Sequence, residues 1–239
     1  MKQTKLVLII AIFVMASGVL TSCMNCINGK GEVKTHTVPL EVFTGIRLDG
    51  DADVFLVSDS SAVITIEAQE NIADNIEMKV RDGILKIGYR DCIKMHEPVK
   101  ILIPVKIIDE LQVNGSGNIE TKGQVSANTL TLKINGSGNM KLNLSAETIF
   151  SEVNGSGNIF LAGSAKRHKS LINGSGNLEA ADLPTEETEI TVNGSGSCKV
   201  FAIGKLEVLV RGSGDVVYKG SPDVSSTIKG SGSVRKLGN

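Results

Sequence analysis

Asn114-Gly-Ser-Gly-Asn118 decides the fold, because the chain writes this pentapeptide six more times with little change, at residues 135–139, 154–158, 173–177, 193–197, 211–215 and 229–233. Successive starts lie 21, 19, 19, 20, 18 and 18 residues apart, a period that suits one coil of a solenoid. On either side of the glycines polar and apolar residues alternate. Thr129-Leu-Thr-Leu-Lys-Ile134 leads into the second copy and Met140-Lys-Leu-Asn-Leu144 leads out of it. Each repeat therefore reads as strand, glycine corner, strand and variable turn. The apolar columns recur as Leu111 and Val113, Ile190 and Val192, and Leu206, Val208 and Val210 before the corner. Beyond it they recur as Ile159 and Leu161, Cys198 and Val200, and Val216 and Tyr218, and all are assigned to the interior.

Two topologies fit. In a parallel β-helix the corners stack about 4.8 Å apart, so like side chains lie above like and asparagine can bond asparagine along a ladder. Asn114, Asn135, Asn154, Asn173 and Asn193 form that candidate row, which could serve as a recognition surface or as scaffold. In an antiparallel β-meander each pentapeptide would be a hairpin loop, which glycine also suits, but nothing would then require the loops to be alike. The pattern favours an all-β, single-stranded parallel β-helix with coils of 18–21 residues, with the meander as the alternative. A transmembrane barrel fits less well: the strands fall short of the roughly nine to eleven residues needed, and there are too few aromatic residues for girdles.

The first residues carry a separate message. Lys2 and Lys5 precede an apolar run from Leu6 to Leu20, and the run ends in Leu20-Thr-Ser-Cys23. This resembles the lipobox of bacterial lipoproteins, which implies cleavage after residue 22 and lipidation of Cys23. Each buried methylene of such an anchor contributes roughly 0.8 kcal/mol to membrane attachment, so the protein is expected to be tethered and not to span.

Composition bounds the rest. The chain has 25 basic and 26 acidic side chains, and removing residues 1–22, with two lysines and no acids, leaves a net charge of −3. A nearly neutral chain makes no electrostatic case for nucleic acid, whose binders usually carry a basic face. Of the four cysteines, Cys198 stands in a core column and reads as a small hydrophobe, Cys26 lies near the anchor and Cys92 lies in a polar stretch. Three cysteines after Cys23 at unrelated spacings give no framework, so no structural disulfide is expected.

Residues 33–113 are β-rich without visible repetition, and here a family likeness emerges. The order Phe43-Thr-Gly-Ile46, Asp53-Val-Phe-Leu56, Ile64-Thr-Ile-Glu67, Gly83-Ile-Leu-Lys-Ile87, Val99-Lys-Ile-Leu-Ile-Pro104 and Leu111-Gln-Val-Asn-Gly-Ser-Gly-Asn-Ile119 resembles the head GIN domain family of auto-transporter adhesins. The resemblance implies a right-handed β-helix and a role in adhesion. The organisation that follows is a lipoprotein signal peptide at 1–22, a tether at 23–32 and one GIN-like domain at 33–239, its repeated coils beginning at 114. No C-terminal membrane barrel is expected, because the last repeat reads as a further soluble coil.

Chemical motifs are sparse. The Gly-x-Gly-Asn unit is similar to calcium-binding nonapeptide repeats, but calcium takes carboxylates and only the sixth copy has one, Asp215. A phosphate-cradling loop needs a following helix. Neither a metal nor a cofactor is expected. His36, His96 and His168 sit in polar settings and read as solvated surface residues, and Asp49-Gly-Asp-Ala-Asp53 fits an ion site or a turn with solvated charges, of which the turn is favoured. The corner offers amides and hydroxyls, which bind sugars but do not move protons near neutral pH. The expected function is a non-enzymatic, lipid-anchored envelope protein at the outer membrane, on its cell-surface or periplasmic face, acting as an adhesin or a binding scaffold for protein or glycan. A homo-oligomer is compatible with this reading. The alternative is a carbohydrate-active β-helix enzyme of the polysaccharide lyase or hydrolase type.

Overall fold

A computed structural model describes residues 26–58 and 61–238. The expected signal peptide at 1–22 and the expected lipidation site Cys23 lie outside the described residues. Strands β1 (Ile27–Asn28), β2 (Val33–Pro39), β3 (Gly45–Gly50), β4 (Asp53–Val57) and β5 (Val63–Gln69) precede one helical turn, α1 (Glu70–Ala73). Then come β6 (Ile76–Arg81), β7 (Ile84–Tyr89), β8 (Ile93–Met95), β9 (Lys100–Pro104) and β10 (Glu110–Gly115). The long strands are β11 (Asn118–Gly136), β12 (Asn139–Gly155), β13 (Asn158–Gly174), β14 (Asn177–Gly194) and β15 (Cys198–Gly212). β16 (Asp215–Lys219), β17 (Asp223–Gly230) and β18 (Ser233–Lys236) finish the chain.

From β10 onward every pairing between coils among the described residues is parallel, and the corners coincide: Asn114 lies opposite Asn135, Asn135 opposite Asn154, Asn154 opposite Asn173, and Asn173 opposite Asn193. The molecule is a β-solenoid of about seven turns. The alternation sorts the side chains as the sequence suggests, with Leu132, Ile134, Met140, Ile159, Cys198 and Val210 fully buried. Each such aliphatic side chain contributes about 1.5–3 kcal/mol through burial.

The corner explains its own glycines. The Gly115 carbonyl accepts from both Ser137 N and Gly138 N of the next coil, at 2.9 and 3.0 Å, and the same fork recurs at Gly136 and Gly155. A Cβ on Gly136 would overlap the Gly115 carbonyl oxygen, and Gly136 has φ +137°, a conformation that side chains rarely adopt. The second glycine is needed for space alone: a Cβ on Gly138 would overlap the Gly117 carbonyl and come within 2.7 Å of Val113 Cγ1.

The non-repetitive half contributes the first coil. β3 pairs in parallel with β10 and β4 with β11, so Asp49 and Gly50 lie opposite Asn114 and Gly115, and Asp53 lies opposite Asn118. Asp49-Gly-Asp-Ala-Asp53 is thus an eighth corner, separated from the next by an inserted segment. That segment, with β2, closes this end of the solenoid by antiparallel pairings of β2 with β5, β5 with β9 and β6 with β7.

Two expectations are corrected. Cys26 and Cys92 form a disulfide across 66 residues of sequence. Parallel pairing of β1 with β8, with Ile27 N donating to Cys92 O at 2.8 Å, brings these distant cysteines together. His168 is not a solvated surface residue: it is only 2% exposed, because it continues the inward column that runs from Leu130 through Ile149 to Thr188.

Candidate functional site

Three features could carry function: the asparagine rows at the corner, one outward wall, and a cleft at the N-terminal end. In the first row, Nδ2 of each asparagine donates to Oδ1 of the asparagine one coil earlier. The distances are 2.8 Å for Asn135 to Asn114, 3.0 Å for Asn154 to Asn135, and 2.8 Å for both Asn173 to Asn154 and Asn193 to Asn173. At one end Asn114 donates to Asp49 Oδ1 at 2.5 Å, and at the other Arg211 Nη1 donates to Asn193 Oδ1 at 3.3 Å. The row is half-buried along the edge, so each amide spends one donor and one acceptor on its neighbours.

The fifth residue of the pentapeptide builds a second row that the sequence reading passed over. Asn118 donates to Asp53 at 2.7 Å, Asn139 to Asn118 at 2.9 Å, and Asn158 and Asn177 continue it at 2.8 Å each. It ends where Ser197 N donates to Asn177 Oδ1. The identical spacing of both positions within each copy was the signal. Between the two rows the serines at the third position, such as Ser137 and Ser156, are exposed.

The outward wall is formed by the later halves of β12 to β15. Thr148, Arg167, Glu187 and Lys205 follow one another in one outward row, and Phe150, Lys169, Glu189 and Glu207 in the next. They surround a shallow depression of about 210 Å³ whose floor includes His168. Phe150 is 43% exposed at its margin. Arg167 Nη2 donates to Thr148 Oγ1 at 3.0 Å, Lys169 pairs with Glu189 at 2.8 Å, and Lys205 pairs with Glu207. The hydrogen bond and charge of Lys205 hold the Glu207 carboxyl below the usual range. Glu207 therefore stays ionised near neutral pH, suited to accept hydrogen bonds and unsuited to act as a general acid. Behind it, His168 Nε2 shares a hydrogen bond of 2.9 Å with buried Ser151, and burial lowers the imidazole pKa to about 4.

The N-terminal cleft is larger, about 790 Å³, and includes Asp51, Lys94, His96 and Glu97 in its lining. Asp51 accepts from Tyr89 OH at 3.0 Å and lies 3.1 Å from His96 Nε2. Burial first, and then the Asp51 charge, raises the Tyr89 pKa. The acidic corner is therefore engaged by partners and not merely solvated. Next to the cleft runs the β1–β8 pair that the Cys26–Cys92 bond secures. Among the described residues no group of three or more His, Cys, Asp or Glu is placed to hold a metal ion.

Comparison with known proteins agrees with this architecture. The family model described as "Putative auto-transporter adhesin, head GIN domain" matches residues 42–222. The fold is similar to that of a "putative adhesin" from Bacteroides fragilis, with a TM-score of 0.82 and 23% identity, covering 88% of this chain and 100% of that one. A "putative adhesin" from Parabacteroides distasonis aligns with a TM-score of 0.74 and 23% identity over 89% of this chain and 100% of its own. A "Putative lipid binding protein" from Parabacteroides distasonis aligns with a TM-score of 0.73 and 25% identity, over 90% of this chain and 100% of its own. No curated protein gives a significant match.

Proposed function

The chain belongs to the head GIN domain family, whose model spans most of it, and on that premise we propose that it is a non-enzymatic envelope protein, lipid-anchored through Cys23, that binds a glycan on its Phe150 wall. The observation that carries this reading is the setting of Phe150: an exposed ring beside a shallow depression on a rigid sheet, rimmed by Thr148, Arg167, Lys169 and Glu189. A single exposed apolar side chain is ordinary on a protein surface. A ring at the edge of a depression with fixed donors and acceptors is different, because it offers a platform for the C–H face of a sugar while the polar groups meet its hydroxyls. The asparagine rows, whose amides are engaged with one another, serve as scaffold in this reading.

The Cys26–Cys92 bond also bears on orientation. Three residue steps separate Cys23 from Cys26, a reach of roughly 10 Å. An acylated Cys23 would hold the N-terminal end of the solenoid at the bilayer, with the cleft close to the lipid and the Phe150 wall farther out. This favours the wall over the larger cleft as the face that meets an extracellular or periplasmic partner, and the proposed location is the cell envelope, at the outer membrane.

The test is retention of the detergent-solubilised full chain on immobilised polysaccharides and, in parallel, on immobilised proteins. Glycan retention that Phe150→Ala abolishes and Phe160→Ala, in a strand segment after the corner, leaves intact supports the reading. Retention on proteins alone, or glycan retention indifferent to Phe150→Ala, overturns it.

A further inference from the structure

The two ends of the solenoid are finished differently. At the N-terminal end antiparallel strands close the coil. At the other end β17 pairs only with β15 and β18 only with β16, so among the described residues their outer edges meet no strand. An open edge is a template for another strand, and proteins blunt it with proline, a bulge, inward charge or charged side chains along the edge. β17 carries no proline, bulge or inward charge, and its two charges, Asp223 and Lys229, stand near its ends and face outward.

Its side chains continue the core. Val224, Ser226 and Ile228 lie opposite Leu206, Val208 and Val210, which are buried, yet Val224 is 36% exposed and Ile228 42% exposed. The outward residues of the same strand are Asp223, Ser225, Thr227 and Lys229. The sequence Asp223-Val-Ser-Ser-Thr-Ile-Lys229 is complementary to itself when reversed about Ser226. Antiparallel pairing with a second copy sets Asp223 against Lys229, Val224 against Ile228, Ser225 against Thr227, and Ser226 against Ser226. Directly opposite residues in an antiparallel pair share a face. The apolar pairs and the serine pair therefore fall inside, and the ion pairs and the Ser225–Thr227 pairs fall outside. Sliding the register by two residues either way places Val224 or Ile228 against serine and leaves Asp223 without its cation.

We propose that this edge is a homodimer interface, in which β17 of two copies pairs antiparallel across a two-fold axis at Ser226 and joins two solenoids end to end. The occupant is a second copy because the charge and apolar pattern of the edge matches its own reverse, as a two-fold interface requires. This inference is independent of the glycan reading.

Sedimentation of the detergent-solubilised full chain over a concentration series measures the dimer, and circular dichroism verifies that each variant is folded. Ser226→Cys should give a disulfide-linked dimer on oxidation, since opposite residues lie about 4.5–5.5 Å apart. Lys229→Cys should not, because the two copies of that position are roughly 20 Å apart in this register. Asp223→Lys sets like charges opposite each other twice and should weaken the dimer about tenfold. Adding Lys229→Asp to the same chain should restore it. A monomer at every concentration, equal cross-linking of the two cysteine variants, or no recovery in the charge-swapped protein would overturn the proposal.

Discussion

Asn114 donates its side-chain amide to the Asp49 carboxylate across 2.5 Å, and this bond sets the direction of the first asparagine row. A carboxylate can only accept, so Asn114 must turn its Nδ2 toward Asp49 and its Oδ1 toward Asn135, and each amide imposes the same choice on the next. At the far end Arg211 can only donate, and it meets the Oδ1 of Asn193 that this polarity leaves facing it. Both termini thus enforce one orientation, with an anion at the donor end of aligned amide dipoles and a cation at the acceptor end. The sense is that of charges at the ends of a helix dipole.

Replacing Asp49 tests that polarity. Asp49→Asn keeps an acceptor in place and extends the row by one amide, so urea unfolding should shift by less than about 0.5 kcal/mol. Asp49→Lys sets a donor against a donor and should cost about 1–2 kcal/mol. Equal effects would show that the carboxylate does not orient the row.

At the corner, Gly136→Val should destabilise by about 3 kcal/mol or more, since the added side chain meets the Gly115 carbonyl and the backbone sits at φ +137°. Ser137→Ala, at the exposed position beside it, should stay within about 0.5 kcal/mol of the parent. Chemical denaturation of both variants makes the comparison.

Much of the solenoid was legible because its information is local. Ile134 and Lys133 are neighbours in a strict alternation, and the buried residue and the half-exposed one are those the pattern names. Cys198 likewise took its place from its column. His168 was obscured by its neighbours in Lys166-Arg-His-Lys169, although counting back five residues from Asn173, as from Asn154 to Ile149, finds the inward column. The first corner was harder to see because Ala52 stands where later copies have their second glycine. No earlier corner lies beneath it among the described residues, so no carbonyl there demands the missing side chain. The Cys26–Cys92 bond depends on the pairing of two short strands, which no spacing rule anticipates. For the Phe150 wall the alternation places the ring outward, but the depression beside it arises only when four coils are stacked.

His168 gives the pH dependence. Its pKa in the folded protein is about 4, lowered by burial, against about 6.5 in the unfolded chain. The unfolded state therefore binds the proton first. Stability is fully present above about pH 6.5 and declines as the pH falls toward 4, by up to about 3 kcal/mol. His168→Gln should flatten this part of the stability profile, measured by thermal or urea unfolding between those limits. An unchanged slope would mean that other groups carry the acid sensitivity.

The disulfide and the lipid anchor can be tested together through one exposed lysine. Lys30 lies between Cys26 and β2, and cleavage after it separates residues 23–30 from the body in covalent sequence. In the oxidised protein the Cys26–Cys92 bond still joins the two pieces, so trypsin should leave the solenoid on the membrane. After reduction, or in Cys92→Ser, the same cut should release it into the soluble fraction. Cys23→Ala should abolish attachment from the start while leaving the thermal transition in place, because the strands of the coil begin later in the sequence, at Ile27. Release of the oxidised parent by trypsin would show either that the body is cut elsewhere or that the bond does not form in the envelope, and mass measurement of the released fragment distinguishes these. Retention of Cys23→Ala on the membrane would remove the lipid from the account, leaving the β1–β8 clasp to secure the N-terminal segment alone.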